Sequence, residues 1–314
     1  MLTSPQLCFV ECPTPPDAGH RPEVVVGAQA IARRMAYWDW QPTGQGAPGH
    51  VVVCVHGLSR QGRDFDVLAR ALQPHARVVC PDVAGRGHSD WLADPMAYQL
   101  PTYAADMVAL LAQLRAQGVV TIDWVGTSMG GLIGMALAAQ AGLGLRRLVL
   151  NDVGPAIEAV ALLRIGTYLG LGERFASVQA AADHLQSISE GFGPHTAAEW
   201  LALSAPMLRE EEGAWCLHYD PALAVPFKAL TADAAQAAAS QGEDTLWQLF
   251  DHITQPTLLL RGVDSDLLSA ATAHAMTQRG PQVRLVEFAG VGHAPTLVSQ
   301  GQVDVVTDFL MASE

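Results

Sequence analysis

The stretch Ile122-Asp123-Trp124-Val125-Gly126-Thr127-Ser128-Met129-Gly130-Gly131-Leu132 passes from an apolar run, through a glycine-rich turn with one serine, into an apolar helix. Gly126-Thr127-Ser128-Met129-Gly130 fits the pattern G-x-S-x-G. Small residues two positions either side of the serine let the backbone turn sharply from strand to helix without side-chain clashes. Such a turn presents the serine hydroxyl above the end of a sheet.

On both sides the chain repeats this alternation. Residues 51–55 form an apolar run ending at His56-Gly57, followed by a helical stretch over 65–72. The run 77–80 ends at Pro81-Asp82, and a helix is expected over 103–117. The serine turn leads into a helix over 132–141. The run 148–150 ends at Asn151-Asp152, 257–260 ends at Arg261-Gly262, and 283–288 ends before Gly290. Continuous rather than alternating apolar strands are what a parallel sheet covered on both faces requires. Strands alternating with helices predict an α/β fold with a mostly parallel, doubly wound sheet. Residues 23–26 and 31–40 read as an antiparallel leading hairpin.

Residues 155–250 break the rhythm. They are helical in pattern, with turns at 170–172, 191–194, 212–213 and 220–221. The expected organisation is a core of residues 1–154 and 251–314 with a helical cap, or lid, at 155–250.

The chain has 314 residues, of which 50% are apolar and 16% charged, enough for a sizeable core. Its formal charge of −13 repels phosphate backbones and anionic lipid, so neither nucleic acid nor membrane is an expected partner. No apolar run is long enough to span a bilayer, and residues 1–16 lack the pattern of a secretory signal. The five cysteines, Cys8, Cys12, Cys54, Cys80 and Cys216, have no regular spacing and read as reduced thiols of a cytoplasmic protein.

A serine hydroxyl needs a base to become a useful nucleophile. His293, in Gly290-Val291-Gly292-His293, follows the last strand and is the expected base. The imidazole in turn needs a carboxylate to fix its tautomer. Asp266, in Gly262-Val263-Asp264-Ser265-Asp266, is the expected one, with Asp152 and Asp264 as competitors. The oxyanion of a tetrahedral intermediate needs fixed donors. The backbone N–H groups of Met129 and Leu58 are the expected pair, and the His56 side chain is expected to hold its own loop.

With these pieces in order, the chain resembles the α/β-hydrolase superfamily over residues 20–312. The matching segments are His56-Gly57, Asp82-Val83-Ala84-Gly85-Arg86-Gly87-His88-Ser89, the Ser128 turn, and the Asp266 and His293 segments. The resemblance implies an eight-stranded sheet with a helical cap inserted after strand 6, and a structural turn at 82–89. It speaks against haloalkane dehalogenases and epoxide hydrolases, which place an aspartate where Ser128 stands. One glycine followed by Leu58 is similar to esterases, and also to hydrolases of carbon–carbon bonds in ring-cleavage products. No phosphate-cradling G-x-x-x-x-G-K-[ST] or zinc-binding H-E-x-x-H occurs.

The expected activity is therefore hydrolysis of carboxylic esters of small to medium molecules, without cofactor or metal, through an acyl-enzyme. Carbon–carbon, lactone, thioester or amide hydrolysis on the same triad is the alternative, and a non-catalytic binding protein the remaining one. Arg60 and Arg63 could meet an anionic substrate or pair with Asp64 and Asp66. Arg164, Tyr168, Trp200, Met207, Trp215 and Tyr219 could line the pocket or pack the cap. Either a monomer or a homodimer fits the sequence.

Overall fold

The apolar runs become neighbouring strands of one sheet. The structure, a computed structural model, describes residues 4–14, 33–44, 49–228 and 231–312. The core elements are β1 (Gln6–Cys12), β2 (Arg33–Trp40), β3 (His50–Val55), α1 (Asp66–Leu72), β4 (Arg77–Pro81), α2 (Leu100–Ala116), β5 (Thr121–Thr127), α3 (Met129–Ala138) and β6 (Leu145–Asn151). An inserted segment follows with α4 (Ala159–Tyr168), β7 (Arg174–Phe175), α5 (Val178–Ile188), α6 (Ala197–Ser204), β8 (Leu208–Glu211), β9 (Ala214–Leu217), α7 (Val225–Lys228) and α8 (Ala232–Asp251). The core closes with β10 (Thr257–Gly262), α9 (Ala270–Met276), β11 (Val283–Phe288) and α10 (Gln300–Met311).

The sheet has eight strands in the order β1-β2-β4-β3-β5-β6-β10-β11. β2 pairs antiparallel with both β1 and β4, and every other pairing is parallel. Side chains alternate between two buried faces. Val51, Val53, Val55, Ile122, Trp124, Leu148 and Leu150 pack with α2 and α3 through Met107, Leu111, Leu114, Ile133 and Leu137. Val52, Cys54, Val78, Cys80, Val125, Val149 and Leu258 pack with α1 and α10 through Leu68, Leu72, Val303, Val306 and Leu310. Both faces are covered, which is why the sequence runs are continuously apolar.

The strand order reverses direction between β3 and β5. Such a reversal leaves a crevice at the carboxyl ends of the two strands, because their following loops diverge. His56-Gly57-Leu58 leaves one of these strands and Ser128 the other.

Two expectations change. The expected partner of β2, residues 23–26, lies outside the described residues, and β2 pairs antiparallel with Gln6–Cys12, which the sequence reading leaves unassigned. In that strand Val10 and Cys12 face inward while Glu11 faces water, too few apolar positions to stand out in the sequence. The inserted segment is also not wholly helical. It holds a three-stranded antiparallel sheet in the order β7-β9-β8. Its hairpin turn is Glu212-Gly213, with φ of 51° and 76°, the left-handed pair of a two-residue type I′ turn. Strands of two to four residues are too short to show a period.

The insert is bonded to the core at several points. Gly87 N–H donates to His218 O (2.8 Å), Asp220 N–H to Gly85 O (2.8 Å) and Gly292 N–H to Gly191 O (2.6 Å). The Tyr98 hydroxyl donates to Asp220 Oδ2 (2.5 Å). Among the described residues, no helix is long and apolar enough to cross a membrane.

Candidate active site

Ser128 sits between β5 and α3 with φ 52° and ψ −115°, a conformation that costs an L-residue about 1–3 kcal/mol. The surroundings hold it there. Its N–H donates to Asn151 O at the end of β6 (2.9 Å), and its carbonyl accepts from Gly131 (2.8 Å) and Leu132 (3.1 Å). Gly130 is required because a Cβ there would run into the carbonyl oxygen of Val55. The close approach brings the start of α3 against the end of β3.

His293 lies in the loop after β11. Its Nε2 is 3.0 Å from Ser128 Oγ and its Nδ1 is 2.7 Å from Asp152 Oδ2. The sequence expectation of Asp266 at this position is overturned. The Asp266 side chain is 44% exposed and forms a bidentate ion pair with Arg164 of α4, at 2.7 and 2.9 Å. Asp152, directly after β6, is fully buried and at positive φ, 56°. Its Oδ1 accepts from Gly262 N–H (2.9 Å), and its Oδ2 also accepts from the Ser265 hydroxyl (2.5 Å). The loop after β10 therefore supplies a hydroxyl to the acid rather than the acid itself. Burial and three donors decide the matter, and neither is visible in the local spacing of Asp266. The order serine, aspartate, histidine is kept.

The loop after β3 runs beside the serine, so that a Cβ on Gly57 would stand 3.7 Å from Ser128 Cβ. Leu58 is half-buried there, with its carbonyl accepting from Arg86 Nε (2.8 Å). Met129 is the first residue of α3, and first-turn N–H groups have no intrahelical acceptor. Gly57, next to Leu58, and Met129 thus lie beside Ser128.

His56 is fully buried, and its Nε2 accepts from Val83 N–H (2.9 Å). Nδ1–H therefore donates to Gly57 O (2.7 Å), as a residue holding its own loop should. Burial pushes its pKa down from 6.5 to about 3. The folded state thus favours the neutral ring, and its contribution is complete above pH 6.5 and lost as pH falls toward 3. The loss amounts to about 4–5 kcal/mol over that window. We expect the urea midpoint to fall with acidification between pH 6.5 and 4 more steeply in the wild type than in His56→Gln, where an amide oxygen can still accept from Val83. Equal slopes in the two proteins would refute this.

The arginines near the loop pair internally. Arg60 meets Asp64 at 2.7 and 2.8 Å and donates to Leu203 O (3.2 Å). Arg63 meets Asp66 at 2.6 and 2.5 Å. Trp200 and Met207 are buried in the insert, Trp200 stacked on Phe192 at 5.9 Å between centroids. Tyr219 is buried and its hydroxyl accepts from Gly170 N–H (3.1 Å). Tyr168 is half-buried against the main core cluster, and Trp215 is half-buried in β9 opposite Phe175 and Glu210.

The insert reaches the site through residues the sequence did not single out. A Cβ on Gly191 would lie 3.6 Å from His293 N. His195 Nδ1–H donates to Gly193 O (3.0 Å), so its Nε2 accepts from the Thr296 hydroxyl (2.7 Å). Phe192 lies 5.6 Å under the Arg60 guanidinium. The segment around 191–195 thus spans from the His293 loop to the loop after β3. Among the described residues, no three His, Cys, Asp or Glu side chains converge as metal ligands would.

Comparison with known proteins identifies the fold family. A family model described as the alpha/beta hydrolase fold matches residues 50–299. A 3-hydroxybutyrate-oligomer hydrolase of Cupriavidus necator is 47% identical over 313 residues, covering 98% of this chain and 99% of that protein. A pimeloyl-[acyl-carrier protein] methyl ester esterase of Photobacterium profundum is 29% identical, covering 86% of this chain and 97% of that protein. A solved structure of an alpha/beta hydrolase from Novosphingobium aromaticivorans superposes with a TM-score of 0.79 at 32% identity, covering 99% of each chain.

Proposed function

Because this chain belongs to the α/β-hydrolase fold family, and is a hydrolase of that fold, we propose that it cleaves carboxylic esters by a Ser128–His293–Asp152 triad. We propose further that its substrates are short oligomers of 3-hydroxybutyrate, as for the Cupriavidus necator relative. The observation that carries the reading is the unbroken hydrogen-bonded chain from Ser128 Oγ through both imidazole nitrogens to a buried carboxylate.

Asp152 accepts from Nδ1–H, which leaves Nε2 free to accept the Ser128 proton. Ser128 Oγ attacks the ester carbonyl, and the N–H groups of Leu58 and Met129 hold the resulting oxyanion. The protonated His293 then gives its proton to the departing alkoxide of the next hydroxybutyrate unit. Water enters, and His293 removes its proton as the oxygen attacks the acyl carbon. The Ser128 Oγ–carbon bond then breaks as His293 returns that proton to Oγ and the acid departs. Residues 155–250 act as a cap over this crevice, with the segment around Phe192 and His195 as its nearest wall.

The test is hydrolysis of the 3-hydroxybutyrate dimer and trimer beside p-nitrophenyl butyrate, with products separated by chromatography. Release of monomer units is expected, with kcat/KM on the trimer at least about tenfold above the activated ester, because only the oligomer uses the whole pocket. Turnover of p-nitrophenyl butyrate alone would remove the oligomer assignment. Turnover of neither would remove ester hydrolysis.

A further inference from the structure

We propose that Arg86 is a positioning residue for the oxyanion donors, its buried charge held without a carboxylate partner for the anion that forms during catalysis. The inference rests on the ester-hydrolase reading above. Arg86 is fully buried. Its Nε–H donates to Leu58 O (2.8 Å), and Nη1 donates to Ala84 O (2.6 Å) and to the Tyr103 hydroxyl (3.0 Å). Its Nη2 lies 3.5 Å from Met129 Sδ. The guanidinium stands 4.9 Å from the Tyr103 ring and 5.8 Å from the Tyr98 ring. Among the described residues, none of its partners is a carboxylate.

That environment is costly. A buried cation normally requires a paired anion, because desolvation is otherwise uncompensated. Among the described residues, two of the other three buried arginines follow this rule, and the third, Arg147, meets a helix end instead. Arg33 pairs with Asp106 and Arg261 with Glu287. Arg147 lies on the Leu310 carbonyl at the negative end of the α10 dipole. Arg86 has carbonyls, a phenol, a thioether and two aromatic faces. If packing were its only role, methionine or leucine would fill the space without the penalty.

Its two ends explain the expense. The Nε bond fixes the carbonyl of Leu58, and hence the direction of the backbone at the first donor. The Nη2 contact falls on the residue that supplies the second. Among the described residues no carboxylate bonds the guanidinium directly, and the acid beyond its aromatic neighbours, Asp220, is held by the Tyr98 hydroxyl. An oxyanion forming between Leu58 and Met129 adds a negative charge beside it, and attraction across a dry interior is strong. The backbone around Arg86 is meanwhile clamped by the insert, since Gly85 O accepts from Asp220 N–H and Gly87 N–H donates to His218 O. Seating of the insert is thereby transmitted to the donors by one side chain.

The experiment compares the full-length wild type with Arg86→Met and Arg86→Lys. Each is assayed for kcat and KM on the 3-hydroxybutyrate trimer and p-nitrophenyl butyrate. Each is also titrated with a trifluoromethyl ketone, which adds to Ser128 as an anionic tetrahedral adduct, and with the matching ether, which binds but cannot be attacked. For Arg86→Met we expect kcat to fall about 10²-fold, near the effect of losing one oxyanion donor, with KM changed less than about threefold. Ketone affinity should fall by the same factor as kcat/KM, ether affinity should hold, and Arg86→Lys should recover part of the loss. If Arg86→Met fails to fold, the ketone-against-ether split in Arg86→Lys carries the test.

A kcat within a few-fold of wild type, or equal weakening of ketone and ether, overturns the proposal. A wild type that neither cleaves esters nor captures the ketone overturns the ester reading and this inference together. An active wild type with an indifferent Arg86→Met removes this inference alone.

Discussion

Ser128→Ala is expected to lower kcat on ester substrates by on the order of 10⁴–10⁶-fold while leaving the fold intact. The loss is large because the nucleophile itself is removed. Ser128 Oγ is the atom 3.0 Å from His293 Nε2, and its backbone is set by bonds to Asn151, Gly131 and Leu132 that alanine keeps. Alanine at φ 52° is strained about as much as serine, so thermal stability should barely move. Residual turnover would come from the oxyanion donors and binding, with water attacking directly. The measurement is single-turnover kinetics with p-nitrophenyl butyrate, joined to labelling by a fluorophosphonate. A burst of nitrophenol and a labelled serine in the wild type, both absent in the variant, is the expected pair. Near-normal turnover in Ser128→Ala would exclude the acyl-enzyme mechanism.

Asp152→Asn is expected to reduce kcat by on the order of 10⁴-fold. Asp152 accepts from three donors, Gly262 N–H, the Ser265 hydroxyl and His293 Nδ1–H. A carboxamide offers one acceptor oxygen and turns an NH₂ toward at least one of these donors. Either the imidazole adopts the wrong tautomer or the loop after β10 loses its anchor, and a buried donor left unsatisfied costs about 1–3 kcal/mol. Asp266→Asn is the control. It breaks an exposed ion pair with Arg164, worth about 0–1 kcal/mol, and should change kcat by less than about threefold. The reverse ranking of the two variants would restore Asp266 to the triad and refute the assignment to Asp152.

The contrast shows which features a sequence carries. Ser128 and His293 were legible because local geometry demands them. A strand-to-helix turn with glycines at fixed offsets, and a histidine in a glycine-rich loop after the last strand, are short-range patterns. The eight-strand sheet was legible because burial on both faces imposes continuous apolar runs. Asp152 and Asp266 both follow strand ends, and what separates them is burial and the direction of neighbouring donors, which are tertiary facts. The β8–β9 hairpin was masked by its length, although Glu212-Gly213 between Glu211 and Ala214 was its one available signal. Arg86 lay within a recognised turn motif, and only its missing counter-ion sets it apart.

The ends of β6 and β10 meet at one carboxylate, Asp152 following β6 and the Ser265 hydroxyl and Gly262 N–H of the β10 end bracing it against His293. The chemistry constrains a point in space, not an address along the chain. An acid at position 265 would therefore stand within one hydrogen bond of the place Asp152 now fills. Between two acids that both follow strand ends, the one that has left water, Asp152, is the one that can hold the imidazole.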